Sequence, residues 1–285
     1  RGQNNVQGAA DMGCQPHQGA GYFPVADEKH QEFYTEKYGV THPTKPGLKI
    51  PQMFEAAINK ELKGLWIIGE DIVQTDPNSA HVIEAMNSLE LLVVQEIFMS
   101  ETAKLATVVL PGTTFLEKDG TFTNTERRIQ RVNRAVPPLP GTKPDGLIVT
   151  EMMQKLGFDQ PTYDADQVLA EIADIVPFFK GVTRERLGKF GLQWPVQEDG
   201  TDTKILHTET FKLGKGRLKN FDWKESSEIE ANQKDYPLIL TTSRVLQHYN
   251  AATMTRRTKN INIVDEDVLL IHPKDAAHRD LNTGD

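Results

Sequence analysis

The sequence predicts an α/β fold: a doubly wound, mostly parallel sheet, followed by a connector and a further strand region. Two observations carry the prediction. Apolar runs of strand length recur between segments of helical spacing from Pro51 to Leu110. Those runs, Leu65-Trp66-Ile67-Ile68, Leu91 to Val94 and Thr107 to Leu110, are not alternated with polar residues, as in strands buried on both faces of a parallel sheet. Strand, helix, strand, helix, strand with short connections implies right-handed crossovers.

The elements follow in order. Pro51 to Leu62 places Phe54, Ala57, Ile58 and Leu62 at helical spacing, with Pro51 suited to a first turn. Gly69-Glu70-Asp71 closes the first strand. Asn78 or Ser79 can cap the next helix, whose stripe is His81, Val82, Ala85 and Met86. Ser100-Glu101 opens a short helix, and Pro111-Gly112 ends the third strand. Two helices follow, Asp145 to Leu156, stopped by Gly157, and Asp164 to Val176, stopped by Pro177. The stretch 180–232 reads as irregular, with a few short strands. Leu238 to Thr242 and Asp267 to Ile271 then predict a new strand region, with a helical turn at Asp275 to Arg279. The expected organisation is an α/β domain over 1–125, a helical and irregular connector over 126–234, and the opening of a separate strand-bearing domain over 235–285.

Composition narrows the function classes. The chain has 285 residues, 38% hydrophobic and 25% charged, which suits a folded core without staples. A formal charge of −8 does not favour a nucleic-acid partner, and the one basic cluster, Arg127, Arg128, Arg131 and Arg134, is interleaved with apolar residues. Cys14 is the only cysteine, so neither an internal disulfide nor a thiolate metal cage can form within the chain. No apolar run approaches the roughly 20 residues of a membrane span. The eight histidines show no metal-site spacing, no GxSxG elbow occurs, and Leu213 to Arg217 lacks the phosphate-loop pattern. An opening at Arg1 and a close on Thr283-Gly284-Asp285, a turn leading onward, lead us to expect a fragment open at both ends.

In open parallel sheets ligands sit outside the carboxyl ends of the strands. The segments there are Gly69 to Asp76, Gln95 to Ser100 and Pro111 to Asn124, all rich in Asp, Glu, Gln, Thr, Ser and Gly. The residues alone thus mark a ligand platform, without a self-contained triad, metal cage or nucleotide fingerprint.

Arg1 to Ala9 (RGQNNVQGA) resembles the arginine–glutamine segment of the molybdopterin formate dehydrogenases, within the wider dimethylsulfoxide-reductase family. Trp66 to Asp76 (WIIGEDIVQTD), Val94 to Glu101 (VQEIFMSE) and Val108 to Gln130 resemble that family's successive pterin-binding loops. Leu240 to Asn250 (LTTSRVLQHYN), with Thr253-Met254-Thr255, resembles the opening of its barrel domain. The strings fall in family order over most of the chain.

The resemblance implies two pterin guanine dinucleotides holding one molybdenum or tungsten, and a 4Fe-4S cluster whose cysteines lie upstream with the metal-ligating cysteine or selenocysteine. It implies reversible oxidation of formate to CO2 in the cytoplasm, and a partner subunit carrying iron–sulfur clusters or flavin. Arg1 orients formate and Gln3 shapes the pocket; a guanidinium suits a small carboxylate because its fork fixes direction. Cofactor contacts are expected from Gly2, Asn5, Gly69, Glu70, Asp71, Thr75, Gln95, Glu96, Ile97 and Phe98. In the barrel segment they are expected from Arg244, Leu246, Gln247, His248, Tyr249 and Asn250. One position departs from the pattern: Thr107 stands where the family usually has Asp. Two rivals stay open: another molybdopterin enzyme, of nitrate-reductase or NADH-dehydrogenase-associated type, and a metal-free scaffold.

Overall fold

The three apolar runs pair in parallel: β1 (Gly64–Ile68), β2 (Leu91–Glu96) and β3 (Val108–Pro111), in the order β1-β2-β3. The coordinates are a computed structural model describing residues 4–227, 229 and 233–285. Gly64 faces Leu91 and Ile68 faces Gln95; Val93 faces Val108 and Glu96 faces Pro111. The register therefore brings the three carboxyl ends to one edge. Before the sheet lie α1 (Val6–Asp11), α2 (Glu28–Tyr38) and α3 (Ile50–Ile58). Between its strands lie α4 (Ile72–Thr75), α5 (Ser79–Asn87) and α6 (Glu101–Lys104). Asn78 caps α5 by accepting from His81 N–H at 3.4 Å, and Ser100 caps α6 by accepting from Ala103 N–H at 3.1 Å.

One buried cluster joins Phe54 and Ala57 of α3 with Val82, Ala85 and Met86 of α5, and with Ile67, Leu92 and Val94 of the sheet. These three strand residues share one face by register. The other face stays partly open, with Ile68, Leu91 and Val108 exposed. Burial on both faces was the sequence expectation, and the structure corrects it. The strands step in one direction, so right-handed crossovers stack these helices on one side.

A second sheet was not anticipated as such. β4 (Gly120–Thr123), β5 (Arg128–Val132) and β6 (Leu192–Gln193) form an antiparallel sheet in the order β4-β5-β6. Around it pack α8 (Ala165–Ile175) and α9 (Arg184–Leu187), while α7 (Asp145–Lys155) starts at the carboxyl edge of the parallel sheet, where Asp145 meets Gln95. Ile129 of β5 is fully buried with Leu169, Val176, Phe179, Val182, Leu187 and Val196. The stretch read as connector thus contains its own core.

The chain divides into two compact units, Arg1–Leu218 and Lys219–Asp285. Within the second unit, 238–242 and 267–271 are not strands; no residue described there pairs in a ladder. Ile239, Leu240, Val268, Leu269 and Leu270 are exposed. A strand is stabilised by a ladder partner on its edge and a packed face, and these runs have neither. The expected barrel opening is therefore not seen, and no closed barrel forms among the described residues.

Leu92, 2% exposed at the centre of the parallel sheet, sets the scale of the first core. Leu92→Ala is expected to destabilise unit Arg1–Leu218 by roughly 2–5 kcal/mol through lost transfer energy and the cavity left behind. Urea unfolding checks this, and a loss below about 1 kcal/mol would show that the sheet can collapse onto the gap.

Candidate functional site

Gly69 follows β1 with φ +63°, the left-handed conformation glycine adopts without penalty. Its N–H donates to Gln95 O at 2.9 Å, joining the ends of β1 and β2. A Cβ built at Gly69 would meet no atom of the chain within 4 Å, so the turn faces open space. Beyond it Thr75 Oγ1 donates to Glu70 Oε1 at 2.8 Å, pinning that side chain along α4.

Asp71 turns the other way. It is 6% exposed, and its Oδ1 accepts from Thr102 N–H at 3.0 Å and from the Thr102 hydroxyl at 2.7 Å. Oδ2 accepts from Gln74 Nε2, and Thr102 Oγ1 in turn accepts from Val73 N–H at 3.1 Å. The first and second strand-end loops are thus bolted together by one carboxylate and one hydroxyl. Asp71, expected as a ligand contact, is a brace in this arrangement.

Gln95 ends deep in the edge, 1% exposed. Its Nε2 donates to Asp145 Oδ1 at 2.7 Å, and Asp145 Oδ2 pairs with Lys118 Nζ. Glu96 Oε1 accepts from Ile97 N–H at 2.7 Å. Phe98 and Met99 are exposed at the tip of the same loop. After β3, Glu117 forms a capping box with Thr114: one carboxylate oxygen accepts the Thr114 N–H and hydroxyl, both at 2.8 Å. Its other oxygen accepts Leu139 N–H at 2.8 Å. Thr114's N–H above all, then its hydroxyl and the Leu139 N–H, hold the Glu117 carboxyl below the usual carboxylate range.

Two buried polar atoms at this edge, Gln95 Oε1 and Thr113 Oγ1, have no hydrogen-bond partner within the chain. Buried polar atoms are nearly always paired, so these two fit a polar ligand seated at the strand ends. Thr107 lies at the opposite edge. Its hydroxyl accepts from Leu92 N–H at 3.0 Å, a strand-joining role that an Asp carboxylate can also fill. The departure from the family pattern therefore falls away from this edge.

Arg1, Gly2 and Gln3 lie outside the described residues. Asn5 is half-buried, and its Oδ1 accepts from Thr123 N–H of β4 at 2.9 Å. In the second unit the expected residues gather on one loop. Arg244 Nη1 donates to Asn250 Oδ1 at 2.6 Å, and Asn260 Nδ2 to Gln247 O at 2.7 Å. His248 Nε2 lies 2.6 Å from Val264 O and Nδ1 lies 3.1 Å from Thr255 Oγ1. A carbonyl only accepts, so Nε2 carries a proton, and in the neutral ring Nδ1 then accepts from the hydroxyl. Tyr249 N–H donates to the same Thr255 oxygen at 3.1 Å, and Leu246 and Tyr249 expose their side chains.

Sequence reasoning missed Thr102, Thr113, Glu117, Lys118 and Asp145 as builders of the edge. For Glu117 a signal existed in the Thr114-x-x-Glu117 spacing. Among the described residues no group of three or more His, Cys, Asp or Glu is placed to hold a metal ion. No described helix is long and apolar enough to cross a membrane.

A parallel sheet whose carboxyl ends carry a left-handed glycine turn and cross-braced polar loops defines an α/β ligand-binding platform. Residues 2–155 match the family described as molybdopterin oxidoreductase, and residues 238–285 match the molydopterin dinucleotide binding domain. The chain belongs to the molybdopterin oxidoreductase family. It is 42% identical over 289 residues to the "F420-dependent formate dehydrogenase subunit alpha" of Methanocaldococcus jannaschii, covering 100% of this chain and 42% of that protein. With the "F420-dependent formate dehydrogenase 1 subunit alpha" of Methanococcus maripaludis it shares 42% identity over 284 residues, 97% of this chain and 41% of that one. The chain therefore spans under half the length of these relatives. Among solved structures, acetylene hydratase from Pelobacter acetylenicus superposes with a TM-score of 0.59 at 21% identity, over 89% of this chain and 38% of that one. That likeness is one of fold.

The Asp71–Thr102 brace has a direct test. Thr102→Val keeps the shape but leaves Val73 N–H without an acceptor and Asp71 with one donor fewer. It is expected to cost about 1–3 kcal/mol, and Thr102→Ser to restore most of it. Thermal unfolding of both variants checks this; equal losses in the two would mean that the methyl, not the hydroxyl, matters.

Proposed function

We propose that this chain is part of the catalytic subunit of a formate dehydrogenase, supplying loops of the cofactor cradle and the arginine that holds formate. The observation that carries the reading is 42% identity across the whole chain to subunits named formate dehydrogenase. The geometry supports the cofactor side. Gln95 Oε1 and Thr113 Oγ1 are buried and unpartnered, Gly69 opens onto free space, and Phe98 and Met99 offer apolar surface at one edge. These residues fit a large polar ligand with aromatic rings.

When bound, a bis(pterin guanine dinucleotide) centre with molybdenum or tungsten supplies two-electron redox chemistry for interconverting formate and CO2. The protein's part is positioning and charge stabilisation. The Arg1 guanidinium would hold both formate oxygens and so set the direction of the C–H bond, with Gln3 helping to shape the pocket and Gly2 contacting the cofactor. The strand-end loops hold one dinucleotide: Gly69, Glu70 and Thr75 after β1, and Gln95, Glu96, Ile97 and Phe98 after β2. Asn5 and Asp71 act behind them as braces. In the second unit Arg244 pairs with phosphate, and Leu246, Gln247, His248, Tyr249 and Asn250 shape the surface around it. A 4Fe-4S cluster, whose cysteines this chain does not supply, would carry electron transfer to a cytoplasmic partner subunit with iron–sulfur clusters or flavin.

The decisive experiment is Arg1→Lys in the full-length enzyme. Lysine keeps the charge and loses the fork, so kcat/KM for formate should fall by about 10²-fold or more. Metal and pterin content should stay at the wild-type level. Normal formate oxidation, or a loss explained by missing cofactor, would remove Arg1 from the substrate site.

A second variant probes the cradle. Gly69→Ala strains the left-handed turn by only about 1–2 kcal/mol but directs a methyl into the open space. Pterin content of the purified enzyme is expected to drop while thermal stability falls modestly. Wild-type pterin content would show that the cofactor does not approach Gly69.

A further inference from the structure

Asp11 closes α1 and is 0% exposed. Its Oδ1 accepts from Gln7 Nε2 and from the Tyr22 hydroxyl, both at 2.7 Å. Its Oδ2 accepts from the Trp194 indole N–H at 2.8 Å. Gln7 Nε2 also donates to the Tyr22 oxygen at 2.8 Å, so the donors are linked to each other. Their rings are wedged in turn: Phe178 stacks on Tyr22 with centroids 6.0 Å apart and lies 4.7 Å from Trp194.

Burying a carboxylate is expensive unless its oxygens are hydrogen-bonded, and apolar residues of similar size often stabilise such a site as well or better. What the hydrogen-bonded joint adds is direction. Donors from the Ala20–Tyr22 turn and from the residue after β6 meet the carboxylate on α1 and restrict rotation of the helix about its axis. The other end of α1 is held as tightly. Asn5 Oδ1 accepts from Thr123 N–H, and a Cβ at Gly8 would lie 2.1 Å from that oxygen, so only glycine permits the contact. Thr123 belongs to β4, the strand entered from the loop that leaves the carboxyl edge of the parallel sheet. Helix α1 is therefore a bar pinned at both ends, its leading end tied to the strand running out of the site. Arg1 stands four residues ahead of Asn5 in the sequence.

We propose that Asp11 is a positioning residue for the formate-holding arginine, acting through α1: it fixes the helix that follows Arg1 in the sequence. The inference rests on the reading of Arg1 given under Proposed function. Because Asp11 acts through Arg1, its loss should matter only while the arginine fork is there to be aimed.

A double-mutant cycle in the full-length holoenzyme reads this out. Asp11→Asn keeps size and shape but sets an amide NH2 against one set of donors. It is expected to lower kcat/KM for formate by about 10-fold or more, with metal and pterin at wild-type levels. In the Arg1→Lys background the same substitution should produce no further loss. Trp194→Phe, which removes a single donor, should give a smaller loss with the same non-additivity, and it carries the test if the Asn variant does not accumulate. Losses that multiply across the two sites overturn the proposal and leave the Arg1 assignment standing. Unchanged kinetics in Asp11→Asn or Trp194→Phe, with only a lowered thermal midpoint, overturn it as well. If Arg1→Lys itself leaves kcat/KM untouched, the substrate reading fails first and this inference falls with it.

Discussion

The carboxylate of Asp71, accepting both the N–H and the hydroxyl of Thr102, ties together two loops that enter the structure 31 residues apart. Everything at the carboxyl edge depends on that tie. With Val73 N–H bound to the same hydroxyl, α4 cannot slide along α6, and the Gly69 turn stays at the height where its N–H meets Gln95 O. Gln95 is then presented to Asp145, and Asp145 to Lys118 on the loop after β3. A single buried acceptor thus sets the spacing of three loops. Such joints are directional, whereas the apolar cluster beneath them tolerates sliding at small cost.

The parallel sheet was legible because its signal is local. Leu65 to Ile68 and Leu91 to Val94 are unbroken apolar runs, and Asn78, Ser100 and Pro51 mark helix starts by chemistry a sequence displays. The antiparallel sheet was hidden for the opposite reason. β5 spans Arg128–Val132, two of its five residues charged, and only Ile129 is fully buried. Its neighbour β6 has two residues and lies about sixty positions away, a pairing no window along the chain reveals. In the second unit, Leu238 to Thr242 carries a strong strand composition and still forms no ladder. β-propensity reports fitness for a pleated, half-buried surface, and without such a surface it specifies little.

Of the candidate site, the sequence marked the segments at the strand ends but not the directions of some side chains. A strand-end aspartate can face a ligand or fold back onto a neighbouring loop, and the choice at Asp71 is made by Thr102, which no spacing rule connects to it. Asn5 is similar: its partner, Thr123 N–H, is 118 residues away. His248 was singled out as a contact, and both of its ring nitrogens prove to be engaged by Val264 O and Thr255. Strings of family resemblance identify which segments are shared. They do not say whether a residue is shared because it touches the ligand or because it holds the loop that does.

The charge of the chain follows the same logic. A net −8 opposes a ligand that carries phosphates, yet the platform's segments are rich in acids. The structure shows where those carboxylates go. Asp71 is occupied by Thr102 and Gln74, Glu96 by Ile97 N–H, Glu117 by Thr114 and Leu139, and Glu70 by Thr75. Each draws donors toward itself and is turned along or into the protein. A carboxylate accepting amide and hydroxyl donors has its field partly offset by their dipoles, and at Glu117 the result is a carboxyl held below its usual range. Asp71 and Glu117, both buried, serve as the frame, and between them lie the Gly69 turn, the unpartnered oxygens of Gln95 and Thr113 and the exposed rim of Phe98 and Met99. That division keeps these two carboxylates from opposing the phosphates of the proposed dinucleotide.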